Sequence, residues 1–164
     1  MKKETSFKKD TRPLIDKAKS VVRKLQEKGW ETYFAGGCVR DMLLDIPAKD
    51  FDIATAATPE EVIGTFPKTI AIGAQFGVIQ VRYGGEGFEV ATFREDGGYT
   101  DGRRPDSVTF SNAIEDVKRR DFTINGLLFD PVTKQLHDFV SGEKDLKAGV
   151  VRAIGDPGRR IEED

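Results

Sequence analysis

A chain of 164 residues, 38% hydrophobic and 33% charged, is long enough for one domain with a real core and too short for two ordinary ones. No apolar run approaches the roughly 20 residues of a membrane span, and "MKKETSFKKD" lacks the apolar region of a secretory signal, so a cytoplasmic protein without membrane contact is expected. The net charge of −2 is uneven: residues 1–30 carry ten Lys/Arg against four Asp/Glu, a net of +6, leaving an acidic body at −8 that argues against wrapping DNA by charge.

The first element spans about residues 12–28, where Leu14, Ala18, Val21, Val22 and Leu25 recur at helical spacing and Gly29 supplies the stop. The basic residues around it read as a solvated tail and the wet face of that helix, or alternatively as a nucleic-acid contact. "WETYFAG" predicts a strand, "GCVRDMLL" a short helix opened by glycine, and "KDFDIAT" a second strand. Thr58, Pro59 and Glu61 carry N-cap, N1 and N3 signals for a helix ending before Pro67.

The pattern then turns to β, with "KTIAI", "GVIQVRY" and, after a glycine turn, "GFEVATFR". "EDGGYTDGRRPDS" predicts a long polar loop, "SVTF" a short strand, and "AIEDVKRRDFTINGLLFDP" a mostly helical segment. "VVRAIGDPGRRIEED" reads as a strand, a turn and the start of a helix cut short, which suggests a fragment. Cys38, the single cysteine, has no histidine partner nearby and predicts a packing residue; the lone His137 has no spaced metal partners and predicts a structural role.

The chemistry concentrates around "AKDFDIAT". Strand alternation sends Asp50 and Asp52 to one face while Phe51 and Ile53 face the other. Two carboxylates this close repel unless a cation lies between them, and oxygen ligands with room for water and phosphate suit Mg²⁺. Taken alone, D-x-D also describes a surface turn. Gly36 and Gly37 follow a strand and open a helix, leaving backbone N–H groups for a phosphate, with Arg40 one turn on.

Glu89 is an acid in an apolar strand, costly to bury unless paired or metal-bound. If its strand neighbours "DFDIA", three carboxylates converge, as expected of a two-metal phosphoryl-transfer site. Arg119, Arg120, Asp121 and Asn125 form the last cluster. On a helix, Asp121 and Asn125 are i, i+4 neighbours, which with Arg120 makes either a nucleotide clamp or an exposed helix start whose charges pair with one another.

Together "GGCVRDMLL", "KDFDIAT", "FEVATFRED", "DGRRPDSVTF" and "RRDFTING" resemble the class II tRNA nucleotidyltransferases, the CCA-adding enzymes, within the family shared with bacterial poly(A) polymerase. The resemblance spans roughly residues 31–164. It implies an α/β nucleotidyltransferase head of the DNA-polymerase-β type, a mixed sheet flanked by helices. It assigns residues 1–30 to a basic arm and helix, 31–150 to the head, and 151–164 to the start of a helical neck.

The resemblance also implies Mg²⁺ on Asp50 and Asp52, Glu89 as the third acid, and nucleotide contacts at Gly37, Arg40 and Arg120. The implied reaction is transfer of CMP and AMP from CTP and ATP to the 3′ end of tRNA, as CCA or A addition, with pyrophosphate leaving. Family members select the base with a neck, and hold tRNA with a body, beyond the portion matched here. The competing expectations are a poly(A) polymerase and a catalytically incomplete nucleotide- or RNA-binding fragment. Two positions depart from the pattern: Asp45 stands where the family has glycine after "LL", and Gly126 where it has alanine after "FTIN".

Overall fold

The computed structural model describes residues 10–96 and 108–155. Helix α1 (Leu14–Glu27) buries Ala18, Val21, Val22 and Leu25, the stripe expected from their spacing, and the chain leaves it through Gly29 at φ 94°. Strand β1 (Thr32–Ala35) follows, then α2 (Gly37–Leu43), β2 (Asp52–Thr55) and α3 (Pro59–Thr65). At the start of α3, Thr58 accepts from the Glu61 N–H at 3.2 Å and Glu61 accepts from the Thr58 N–H at 2.9 Å. This reciprocal pair satisfies two backbone donors that the first helical turn leaves unpaired.

Strands β3 (Thr69–Gly73), β4 (Val78–Tyr83) and β5 (Glu86–Thr92) form an antiparallel meander; a second pair, β6 (Arg94–Asp96) with β7 (Val108–Phe110), stands apart. Helix α4 (Ala113–Lys118), a single 3-10 turn (Thr123–Asn125), the hairpin β8 (Leu128–Asp130) and β9 (Gln135–His137), and α5 (Gly142–Ala148) are the remaining elements after β7 among the described residues.

The seven-stranded sheet has the order β3-β4-β5-β2-β1-β8-β9. Its one parallel pairing, β2 with β5, lies at the centre, so the sheet is mixed. One face carries Phe34, Phe51, Ile53, Ile79, Val81, Phe88 and Val90, packed with α1 and α3 residues. The other carries Tyr33, Ala35, Ala54, Phe93 and Leu128, with Val117 of α4 and Ile154. Apolar residues on both faces exclude water from the sheet centre, the main favourable term holding such layers together. No helix among the described residues is long and apolar enough to cross a membrane.

Three expectations are corrected. The segment 113–131 is not mostly helical: α4 stops at Lys118, Phe122 is extended at φ −121° and ψ 150°, and Leu128–Asp130 pairs with β1 and β9. Long-range strand pairing there outweighs the helical spacing. Glu95 and Asp96, read as loop, belong to β6 and pair with Thr109 and Val108, while the rest of the proposed long loop lies outside the described residues.

Gly126, read as a helix position, lies beyond the 3-10 turn in the core, where an added methyl would meet Ile154 and Val140 at 3.1 Å. Its effect there is on packing, not helix propensity. The basic arm up to residue 9 and the expected neck helix from residue 156 lie outside the described residues.

Candidate functional site

The site forms where β1, β2 and β5 meet on the α4 side of the sheet. Ile53 pairs in parallel with Val90, so Asp52 and Glu89, one residue earlier on each strand, stand at the same level. Their neighbours Phe51, Ile53, Phe88 and Val90 are buried in the opposite face, which turns both carboxylates toward the α4 side. Asp50 lies just ahead of β2 and is exposed; its charge, like that of Glu89, bears on Asp52. Surrounding protein, then the negative charge of Glu89, raise the Asp52 carboxyl above its ordinary value, against the opposing pull of Arg120.

Glu89 is exposed, so the burial cost expected from its apolar strand does not arise. Among the described residues, no three His, Cys, Asp or Glu side chains gather closely enough to hold a metal ion. The expected convergence of three acids is thus a shared ledge, not a closed cage. Its chemistry suits Mg²⁺, which binds through one or two carboxylates and completes its shell with water and substrate phosphate.

Ala35 pairs with Asp52, so the turn leaving β1 emerges beside the carboxylates. Gly36 takes φ 74° and ψ −142°, a conformation that side chains resist. Two guanidinium groups lie over this turn: a methyl on Gly36 would be 3.6 Å from Arg120 Nη1, and one on Gly37 would be 3.4 Å from Arg40 Nη2. Arg40 donates to Asn125 Oδ1 at 2.9 Å and pairs with Asp41 at 3.2 Å. Asn125 Nδ2 donates to Asp121 Oδ1 at 3.3 Å. Arg40, Asp121 and Asn125 are therefore brought together, by a 3-10 turn rather than by a helix face, and bond to one another.

Sequence reading missed Asp116. It is 1% exposed on α4, accepts from Arg120 Nη2 at 3.0 Å, and pairs with Arg119 at 3.2 Å. The available signal was spacing, since an acid three and four residues before "RR" on a helix faces both arginines. Also missed was Gly142, where a methyl would lie 2.1 Å from the Thr123 carbonyl oxygen; only glycine lets α5 close on the turn that carries Asn125.

Cys38 is buried, donates its S–H to the Ala35 carbonyl at 3.2 Å, and has a thiol pushed up to about 11 by burial, the behaviour of a packing residue. His137 packs on Tyr33 with ring centroids 4.7 Å apart, away from the carboxylates, on β9.

Comparison with known proteins gives the family of the chain. The poly A polymerase head domain matches residues 32–152, a stretch that contains every residue of the ledge and the glycine turn. The chain belongs to the poly A polymerase head domain family. This head domain is 51% identical over 149 residues to the CCA-adding enzyme of Lactobacillus helveticus, covering 90% of the chain and 37% of the relative. It is 45% identical over 155 residues to that of Staphylococcus saprophyticus, covering 94% and 39%.

Among solved structures, the Bacillus stearothermophilus CCA-adding enzyme in complex with CTP matches with a TM-score of 0.83 at 38% identity, over 93% of the chain and 36% of that enzyme. The Thermotoga maritima CCA-adding enzyme complexed with tRNA matches at 0.67 and 28%, over 89% and 34%. The head domain thus shares its helix-flanked mixed sheet with these enzymes and spans little more than a third of the curated relatives' length.

Proposed function

We propose that the chain is the catalytic head of a tRNA nucleotidyltransferase of the CCA-adding type, which transfers CMP and AMP from CTP and ATP to the 3′ end of tRNA. One observation carries this reading: Asp52 and Glu89 stand level on adjacent strands, facing a glycine turn on which Arg120 and Arg40 lie. That places an anionic ledge opposite a cationic rim, the division of charge needed to bind a triphosphate and a metal together. The CTP and tRNA named for the matched structures support the same substrate class.

In this reading Asp50 and Asp52 hold Mg²⁺, which when bound supplies positive charge to the triphosphate and to an attacking hydroxyl. Arg120 directs Nη1, which lies over Gly36, toward phosphate, since Nη2 is committed to Asp116. Glu89 orients the primer hydroxyl, or accepts its proton. Gly36 and Gly37 let the phosphates approach the backbone, while Asp121 and Asn125 lie within the Arg40 network to meet ribose or base. Residues 31–150 form the head, with residues 1–30 an arm and helix and residues 151–164 the entrance to a neck. A cytoplasmic location accompanies a tRNA substrate.

The test grafts this chain onto the Lactobacillus helveticus CCA-adding enzyme in place of its matching segment. Labelled CTP and ATP are then offered to tRNA lacking its 3′ terminus. Addition of a finite terminus, lost on Asp52→Ala, is expected; unchanged incorporation by Asp52→Ala refutes the metal assignment, and unlimited AMP addition indicates a poly(A) polymerase.

A further inference from the structure

We infer that Asp116 is a positioning residue that aims Arg120 at the nucleotide and ties that arginine to the base of the β6–β7 pair. The inference rests on the nucleotidyl-transfer reading for its ligand, but its geometry stands apart from that reading. Asp116 is on α4, is 1% exposed, and has no ligand role of its own because protein groups occupy both its oxygens. Oδ2 accepts from Arg120 Nη2 at 3.0 Å. Oδ1 accepts from Arg119 Nε at 3.2 Å and from the backbone N–H of Arg94 at 3.0 Å. Arg94 is the first residue of β6, directly after Phe93 leaves the main sheet.

Three donors on a buried carboxylate repay its desolvation and fix the carboxylate plane. That plane sets the Arg120 guanidinium, because the bond through Nη2 uses one edge and turns Nη1 toward Gly36. Arg120 Nε is buried without a hydrogen-bond partner, so its N–H reports how firmly the guanidinium is held. The same carboxylate holds the backbone at the start of β6. One side chain thus joins the start of β6 to Arg120.

The test uses the intact chain, Asp116→Asn, which keeps the shape and loses the charge, and Glu115→Gln on the exposed side of the same helix as control. Side-chain NMR of the unliganded proteins reads Arg120 directly. A slowly exchanging Arg120 Nε–H signal is expected in the unaltered chain and in Glu115→Gln, with exchange accelerated at least about tenfold in Asp116→Asn. An unchanged signal in Asp116→Asn overturns the positioning role.

Titrations with CTP and with cytidine, both with Mg²⁺, then read the consequence for binding. Loss of one charge-assisted contact predicts CTP affinity weakened by about tenfold to a hundredfold in Asp116→Asn, with cytidine affinity unchanged. Equal weakening of both ligands overturns the inference in favour of general loosening, as does unchanged CTP affinity. If the unaltered chain binds no CTP, the nucleotide reading fails, while the Arg120 signal still decides whether Asp116 positions it. If Asp116→Asn does not fold, Asp116→Glu, which keeps the charge but displaces it, replaces it: a CTP-selective loss sustains the aiming role, and equal loss on CTP and cytidine overturns it.

Discussion

The two sides of the site settle their charge in opposite ways. On the strand side, Asp50, Asp52 and Glu89 are exposed and like-charged, and the surrounding protein together with Glu89 raises the Asp52 carboxyl. On the α4 side, Arg119 and Arg120 share buried Asp116, while Arg40, Asn125 and Asp121 bond in series. The carboxylate ledge is thus held by the sheet beneath it and contributes little to holding the sheet. The arginine rim is part of the packing that shapes the irregular segment after α4. Substitutions on the ledge should change chemistry without lowering stability, and substitutions supporting the rim should change both.

The largest expected effect is on the ledge. Asp52→Ala in the grafted enzyme is predicted to lower nucleotide incorporation by about a thousandfold or more, the order seen when charge stabilisation of a transition state is removed. The isolated variant should melt no lower than the unaltered chain, because the change relieves repulsion; a large drop in melting temperature would erase the contrast. Gly142→Ala is the reverse case, in the packing behind the turn that carries Asn125. Its methyl would meet a backbone oxygen, and a loss of about 3 kcal/mol is expected from denaturant unfolding.

Asp145 gives the contrast a pH dependence. It accepts from the Thr123 hydroxyl at 2.6 Å and from Arg152 Nε at 3.1 Å, and these bonds, the hydroxyl first, hold its carboxyl below the usual carboxylate range. A lowered carboxyl favours the folded state above its unfolded value, and this contribution disappears as pH falls through the folded one. Asp145→Asn should therefore melt below the unaltered chain at neutral pH, with the gap closing below about pH 4. A gap that persists in acid would assign the loss to packing. Asp52 carries the opposite shift and should show no such acid-sensitive gain.

The smallest effect belongs to the approach to the ledge. Asp45 holds φ 56° where the resembling family has glycine, a left-handed conformation that aspartate tolerates better than most residues. Asp45→Gly should change unfolding free energy by less than about 1 kcal/mol, since relief of strain is offset by a more flexible unfolded chain. A larger change would mean that the Leu44–Ile46 turn supports the ledge directly.

Local signals survived folding where a few neighbouring residues carried the whole interaction. The stripe from Leu14 to Leu25, the capping box of Thr58 and Glu61, and the alternation of Asp52 with Phe51 and Ile53 are each complete within one or two turns or one strand. Their periodicity requires no knowledge of a distant partner. The pairing of Asp52 with Glu89 was legible only as a condition, because parallel pairing joins strands 37 positions apart.

The segment from Arg119 to Asp130 misled for a related reason. Its helical spacing is real, but Phe122 bridges to Ala153 and Leu128–Asp130 pairs on both sides, contacts that no local window contains. The sequence by itself determined which residues carry charge, which faces of α1 and β2 are apolar, and the family to which the motifs point. Only the tertiary structure decided that Asp52 stands level with Glu89, that Asp116 holds Arg120, and that Gly142 must meet the Thr123 carbonyl. The physical reason is that side-chain chemistry and strand alternation are set by the chain locally, whereas register, close backbone approach and buried ion pairing depend on residues brought together by the collapse of the whole core.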